Sequence, residues 1–466
     1  MTQSTFNEQV VQNLGVKPTN DQLSCLHDIT KYLAKRHDRA IHILNGYAGT
    51  GKTTLVAAIV RTLTDSNVNV VLMAPTGRAA KVLSEQCHHP AFTIHKFIYN
   101  TFQDEAGDYR IMLSKRSKKN TIYFIDEASM IPSGNGNDVG SFAMRNILDD
   151  IISFVFMKEN CKLIFIGDTA QLPPVGEIQS TALNPTMLGN MYQFDVTMST
   201  LKEVVRQIET SPILQNATFI RNKLTQRQFT LPYFTTIDTE SFRPIDNNEL
   251  TDTLGDYFNQ HDNKSIVICR YNKQANIYNN AIRTNIFLYD SILVKGEKLV
   301  VVKNNYYWKI DQDNSFIANG ELLEVEKVHR IEMLYGFTFA HVTVSLVDYA
   351  DAGTFDAILL LDTLNVEGAS LPYDRKSVLY YNIFADLPEH LSKKEKNTLV
   401  RNNPYFNALQ VKYGYAVTCH KAQGGQWDNV FIDKGYSNAD VLDEEFFRWL
   451  YTAVTRGVEK EFLINF

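Results

Sequence analysis

The stretch Gly46-Tyr-Ala-Gly-Thr-Gly51-Lys52-Thr53 constrains this chain more than any other part of its sequence. It follows the apolar run IHILN (41–45) and precedes a helical stretch from Thr53 to Leu63. The glycines let successive backbone N–H groups turn inward, and a lysine and a threonine close the loop. Such a loop cradles phosphate oxygens. Gly46, Gly49, Thr50, Gly51 and Thr54 belong to the cradle, Lys52 reaches the terminal phosphates, and the Thr53 hydroxyl is placed for Mg²⁺. Strand, phosphate loop and helix in that order predict an α/β fold on a parallel sheet, with ligands at the carboxyl ends of the strands.

Three further apolar runs repeat the pattern. VNVVLMA (68–74), TIYFIDE (121–127) and CKLIFIGD (161–168) each end in small or acidic residues and lead into a loop or helix. Asp126 suits the coordination shell of Mg²⁺, and the adjacent Glu127 can orient and deprotonate an attacking water. Gln171, just past Gly167-Asp168, can hydrogen-bond both a γ-phosphate and that water. Phosphoryl transfer also calls for a cation on the developing charge, often an arginine from a facing domain. Arg206, after LKEVV, and Arg456, in YTAVTRG, are the candidates.

A second region of the same texture opens with SIVICRYN (265–272), resumes at VKYGYAVTCHKAQG (411–424) and ends with EKEFLINF. Between these parts, residues 296–410 carry alternating β patterns such as LLEVEKV and FAHVTVSLVDY, so they are expected to form a mostly β insertion, with a hairpin turn at Asn319-Gly320. A smaller insertion, 93–120, reads as a hairpin turning at Glu105–Gly107. The formal charge of −6 excludes only a protein coated in basic residues, since a binder can concentrate its cations in one groove. The five cysteines are scattered without a C-x-x-C pair, and the N-terminal stretch lacks a secretion signal. No apolar run is long enough for a membrane span. A cytoplasmic protein is the expectation.

With these residues in view, the chain resembles the superfamily 1 helicases, specifically the RecD-like and phage Dda-like group that moves 5′ to 3′. The resemblance rests on TNDQ (19–22), GYAGTGKTT (46–54), APTGRAAKVL (74–83), TIHKF (93–97), IDEASM (125–130), GDTAQLPPVG (167–176), LKEVVRQ (201–207), AVTCHKAQG (416–424) and YTAVTRG (451–457), in order. It implies two RecA-like motor domains: residues 1–205 with the hairpin insertion, and 206–295 with 411–466. Residues 296–410 would be an inserted SH3-like domain.

The resemblance also implies roles. Gln22 corresponds to a glutamine that reads adenine, and Arg206 and Arg456 to arginines presented to the γ-phosphate. Gln423 and Gly424 match the strip between the ATP cleft and the strand; Pro75, Thr76, His95, Thr418 and His420 match positions along the nucleic-acid track. Hydroxyls and amides make weak, quickly broken phosphate contacts, which a stepping motor needs and which suit an acidic chain. Tyr99, Phe102 and Tyr109 are candidates for a strand-separating wedge, and Lys115, Arg116, Lys118 and Lys119 for phosphate contacts. Lys202 departs from the family, which commonly has threonine there.

The activity so implied is ATP-dependent, 5′ to 3′ DNA unwinding with ATP and Mg²⁺ as cofactors. The partners would be single-stranded and forked duplex DNA, with RNA also compatible, and a single-strand-binding protein as companion to a monomeric motor. A translocase that strips bound proteins without efficient unwinding uses the same parts. A P-loop ATPase acting on protein partners would keep Lys52 and Asp126, but it gives no reason for the stretches at 74–83 and 416–424.

Overall fold

The apolar runs that end in polar loops line up as parallel strands in the computed structural model, which describes residues 3–35, 39–103, 109–134, 145–205, 211–237, 239–258, 263–308, 316–349, 353–435 and 442–466. The first half supplies β1 (Ala40–Gly46), β2 (Asn69–Ala74), β3 (Ala91–Thr93), β4 (Tyr99–Gln103), β5 (Tyr109–Leu113), β6 (Thr121–Ile125), β7 (Lys162–Gly167) and β8 (Asp195–Leu201). Six of them form one all-parallel sheet in the order β3-β2-β6-β7-β1-β8. Alternate residues of one strand face opposite cores. Ala40 and Leu44 pack with the helices Asn20–Ala34 and Lys52–Asp65, while Ile41 and Ile43 pack with the helix Ile147–Val155. Burial on both faces is what a near-continuous apolar strand requires.

The second half supplies β9 (Phe242–Ile245), β10 (Ser265–Cys269), β11 (Lys298–Val301), β12 (Leu322–Leu334), β13 (Phe337–Leu346), β14 (Thr354–Leu360), β15 (Leu409–Tyr413), β16 (Ala416–Thr418), β17 (Trp427–Asp433) and β18 (Gly457–Ile464). A second parallel sheet runs β16-β10-β17-β18-β9, and β11 to β15 close into a barrel. The fold class is therefore the expected one. One face of the second sheet shares its core with the barrel, through Val267 and Phe431 against Val301, Val325 and Val342. The other face packs on the helices Pro212–Gln226 and Glu444–Val454. At the root of the barrel Arg283 pairs with Glu297 through two bonds, at 2.9 and 3.0 Å, and the Tyr415 hydroxyl donates to the same carboxylate at 2.9 Å.

Two expectations are corrected here. Residues 411–413, expected with the second parallel-sheet region, are the end of β15 and pair in the barrel, while Ala416–Thr418 pairs with β10 in the second sheet. Asn319-Gly320 is a turn leading into β12, with Gly320 at φ +88°, but the tight hairpin is Tyr335-Gly336 between β12 and β13. Both of its residues have positive φ, the geometry of a two-residue turn matched to strand twist. In the first half, β4 and β5 form the expected antiparallel hairpin, whose expected tip at Glu105–Gly107 lies outside the described residues. Among the described residues no helix is long and apolar enough to cross a membrane.

Candidate active site

The loop after β1 needs its glycines. Gly49 and Gly51 have φ of +73° and +74°, and a Cβ on Gly51 would stand 2.6 Å from Nε2 of Gln22. Lys52 Nζ donates to the Gly46 carbonyl and, at 3.1 Å, to that of Tyr47. Thr53 sits in the first turn of the helix Lys52–Asp65, and Thr54 is exposed. Gln22 is buried. Its side-chain oxygen accepts from the Thr19 N–H at 3.0 Å, and its amide nitrogen donates to the Thr50 carbonyl at 3.2 Å. Both ends of this amide are engaged, so here Gln22 ties the helix Asn20–Ala34 to the phosphate loop, and reading a base would require it to turn.

Asp126 and Glu127 follow β6 directly. The Asp126 carboxylate accepts the Glu127 N–H at 2.8 Å, and Glu127 itself takes the left-handed conformation, φ +50°. Burial first, and then the charge of Glu127, push the Asp126 carboxyl well above the usual range, while Lys52 pulls it down. Two adjacent carboxylates with one lysine leave negative charge that a divalent cation would neutralise. Asp126 and the Thr53 hydroxyl are hard oxygen donors of the kind Mg²⁺ takes when phosphates complete its shell. Gln171 is buried, and its side-chain oxygen has no hydrogen-bond partner among the described residues.

The facing wall comes from the second sheet. Asp443 caps the helix Glu444–Val454, accepting the Phe446 N–H at 2.8 Å, and Phe446, Phe447 and Leu450 anchor the helix in the core. Just past its end Arg456 is buried, donating to the carbonyls of Thr452 at 3.1 Å and Gly425 at 3.2 Å. Its guanidinium lies 3.8 Å from the Glu127 carboxylate. An arginine of one sheet thus meets an acid of the other across a single cleft. Arg206 lies outside the described residues.

Gln423 is buried and donates to the Leu172 carbonyl at 2.8 Å. Gly424, φ +73°, packs so close that a Cβ there would meet the Ala79 methyl at 2.8 Å and the Thr76 hydroxyl at 3.3 Å. A cavity of about 220 Å³ opens beside them, where both sheets meet the barrel. Thr76, Arg78, His420, Lys421, Trp427 and Asp348 line it.

Known proteins match both walls. Residues 27–231 match the AAA domain family, and residues 413–464 match the UvrD-like helicase C-terminal domain family. The ATP-dependent DNA helicase Dda of Enterobacteria phage T4 is 25% identical, across 89% of this chain and 92% of its own length. The RecD subunit of the RecBCD enzyme of Buchnera aphidicola is 22% identical, across 94% of this chain and 74% of its own. Over most of its length the chain is thus similar to DNA helicases of the RecD-like and phage Dda-like kind. The crystal structure of the Pif1 helicase from Bacteroides with ADP-AlF3 and ssDNA superposes with a TM-score of 0.48 at 16% identity, covering 97% of this chain and 93% of that one.

The other positions picked out from the helicase motifs fall as follows. Pro75 and Thr76 follow β2, and the Thr76 hydroxyl accepts from the Ala79 N–H at 3.2 Å. Thr418 precedes the helix Cys419–Ala422 without capping it through its side chain. Burial holds His420 below its ordinary pKa and His95 down at about 4, so both rings are neutral at pH 7. His95 lies against Tyr99 and Phe316, ring centres 5.8 and 6.5 Å away, beside the barrel and outside the cavity lining. Lys202 is exposed and faces solvent, while its backbone N–H donates to Asp21 at 2.8 Å. Lys115, Arg116, Lys118 and Lys119 are all exposed.

The wedge candidates separate. Tyr99 is buried, its hydroxyl donates to Asp150 at 2.6 Å, and Arg145 covers its ring. It packs the hairpin onto the domain and presents no wedge. Phe102 is 45% exposed, and Met112, on the same face of the hairpin, is 49% exposed. The side chain of Tyr109 lies outside the described residues. Sequence reading missed Arg78, whose guanidinium stacks 4.0 Å above Trp427 and donates to the Gln426 carbonyl at 2.6 Å. Its signal was present in APTGRAAKVL, but the partner lies far away in the chain.

Proposed function

We propose that this chain is an ATP-dependent DNA helicase that steps 5′ to 3′ along single-stranded DNA and separates duplex at a fork. The observation that carries the reading is Arg456 at 3.8 Å from Glu127, one from each sheet. ATP lies in that cleft with its phosphates on the loop 46–53. Lys52 holds the terminal phosphates, Glu127 takes the proton of the attacking water, and Gln171 and Arg456 meet the γ-phosphate. Arg206 is the second arginine of the same set. Mg²⁺, held by Thr53 and Asp126, would offset the phosphate charge.

The single strand runs through the junction lined by Thr76 and His420 and past the neighbouring Thr418, where neutral hydrogen-bonding groups release phosphates quickly. Gln423-Gly424 touches both the cleft and this junction, so opening of the cleft shifts the grip on the strand. Phe102 on the exposed face of the hairpin is the wedge. Glu127→Gln keeps the shape of the site and removes the base. Strand-stimulated turnover is expected to fall by about a hundredfold or more with ATP binding retained. Unimpaired turnover in that variant would overturn the assignment of Glu127.

A further inference from the structure

Tyr451 reaches across the cleft with its hydroxyl. Its ring belongs to the core of the second domain and the residue is 1% exposed, yet the oxygen accepts the Ala48 N–H of the phosphate loop at 3.0 Å and donates to Asp168 at 2.7 Å. The other Asp168 oxygen accepts the Ala170 N–H at 2.9 Å, and the Asp168 carbonyl accepts the Gln171 N–H at 3.2 Å. One buried hydroxyl therefore joins three parts: the phosphate loop, the turn that carries Gln171, and the helix that leads to Arg456.

The rest of that turn is held from the same helix. Arg448 donates to the carbonyls of Thr169 and Gln171, and the Thr452 hydroxyl accepts the Leu172 N–H at 2.9 Å. The turn sits at the end of β7 in the first sheet, but much of its main chain is bonded to the second domain. Burial, then the charge of Asp168, push the Tyr451 hydroxyl far above its ordinary pKa, so it remains a donor at any working pH.

We propose that Tyr451 is a positioning residue: its hydroxyl registers closure of the cleft and sets the turn so that Gln171 faces the γ-phosphate only when the domains are together. Separation of the domains breaks the bonds to Ala48 and Asp168 at once. The turn then loses its hold, and hydrolysis waits for closure. The inference deepens the proposed helicase cycle and rests on it.

The test uses the full chain with Tyr451→Phe, which keeps the buried ring and removes only the hydroxyl. A hydrogen bond to a charged group in a closed site corresponds to a fall of about ten- to a hundredfold in the kcat for ATP with saturating single-stranded DNA. The KM for ATP, the strand affinity and the melting temperature should stay close to those of the unaltered protein. Asp168→Asn should give the same split, and the double variant should be no slower than the slower single, because both remove one linkage. Should Tyr451→Phe fail to fold, Asp168→Asn alone must show kcat loss at constant KM. A kcat within about twofold of the unaltered protein, or losses that multiply in the double variant, would overturn the role of Tyr451 and leave the helicase reading standing. Absence of strand stimulation in the unaltered protein would overturn both.

Discussion

The two walls of the cleft are built by different means. The wall at the ends of β1 and β6 is made of contiguous residues, and much of its chemistry is backbone: turned N–H groups, left-handed glycines, and a carboxylate pair that directly follows its strand. The wall from the helix Glu444–Val454 works through side chains that reach away from their own sheet, with Tyr451, Arg448 and Arg456 each ending on the opposite domain or facing it. A backbone cradle holds its shape whether or not the domains meet. A wall of reaching side chains acts only on closure. The first wall should therefore govern binding of the nucleotide, and the second the rate at which it is split.

Arg456→Ala gives the sharpest break between the two. Loss of an arginine that meets the transferring phosphoryl group is expected to lower strand-stimulated kcat by about a thousandfold, with much less change in ATP affinity. Equilibrium binding of a fluorescent nucleotide beside turnover assays separates the two quantities. Loss of affinity at unchanged kcat would move Arg456 to the first wall. Next in size is an acid effect on the first sheet. His42, in β1 beside β8, is fully buried, bonded to Thr197 at 2.8 Å and near Ser199 at 3.2 Å, and burial lowers its pKa from 6.5 to about 4. Above pH 6.5 the ring is neutral both folded and unfolded, and stability does not depend on its proton. As pH falls from 6.5 toward 4 the unfolded chain gains the proton first, and roughly 3 kcal/mol is lost. Denaturant melts across that range should show the loss, and His42→Gln should flatten it. The smallest effect is at the hairpin. Phe102→Ala should slow unwinding of a forked duplex by about fivefold, the scale of one stacking contact, while strand-stimulated hydrolysis stays unchanged. Equal loss of both activities would remove Phe102 from the wedge.

The same contrast explains what the sequence made legible. The strands at β1, β2, β6 and β7 were readable because burial on both faces leaves continuous apolar runs with polar ends. The phosphate loop and the Asp126-Glu127 pair were readable because their parts are neighbours in the chain. Tyr451 stood inside a recognised motif, yet nothing local says that its hydroxyl crosses to Ala48 and Asp168. In the barrel, Asn319-Gly320 was expected to be a hairpin turn; it is a turn with a left-handed glycine, but a turn signal does not say which strands it joins. The stretch from 411 to 424 was expected to belong as a whole to the second parallel-sheet region. It breaks at Gly414, where the Lys298 carbonyl passes within 3.3 Å of the place a Cβ would take. That approach depends on a chain segment more than a hundred residues away, which periodicity alone does not reveal.

The most direct test of the account measures ATP turnover with and without single-stranded DNA, together with unwinding of duplexes carrying a 5′ or a 3′ tail. The account predicts turnover that rises steeply with the strand and unwinding of the 5′-tailed substrate only. Turnover indifferent to DNA would contradict the coupling of the two walls through the strand track, and unwinding from the 3′ tail would contradict the direction of stepping.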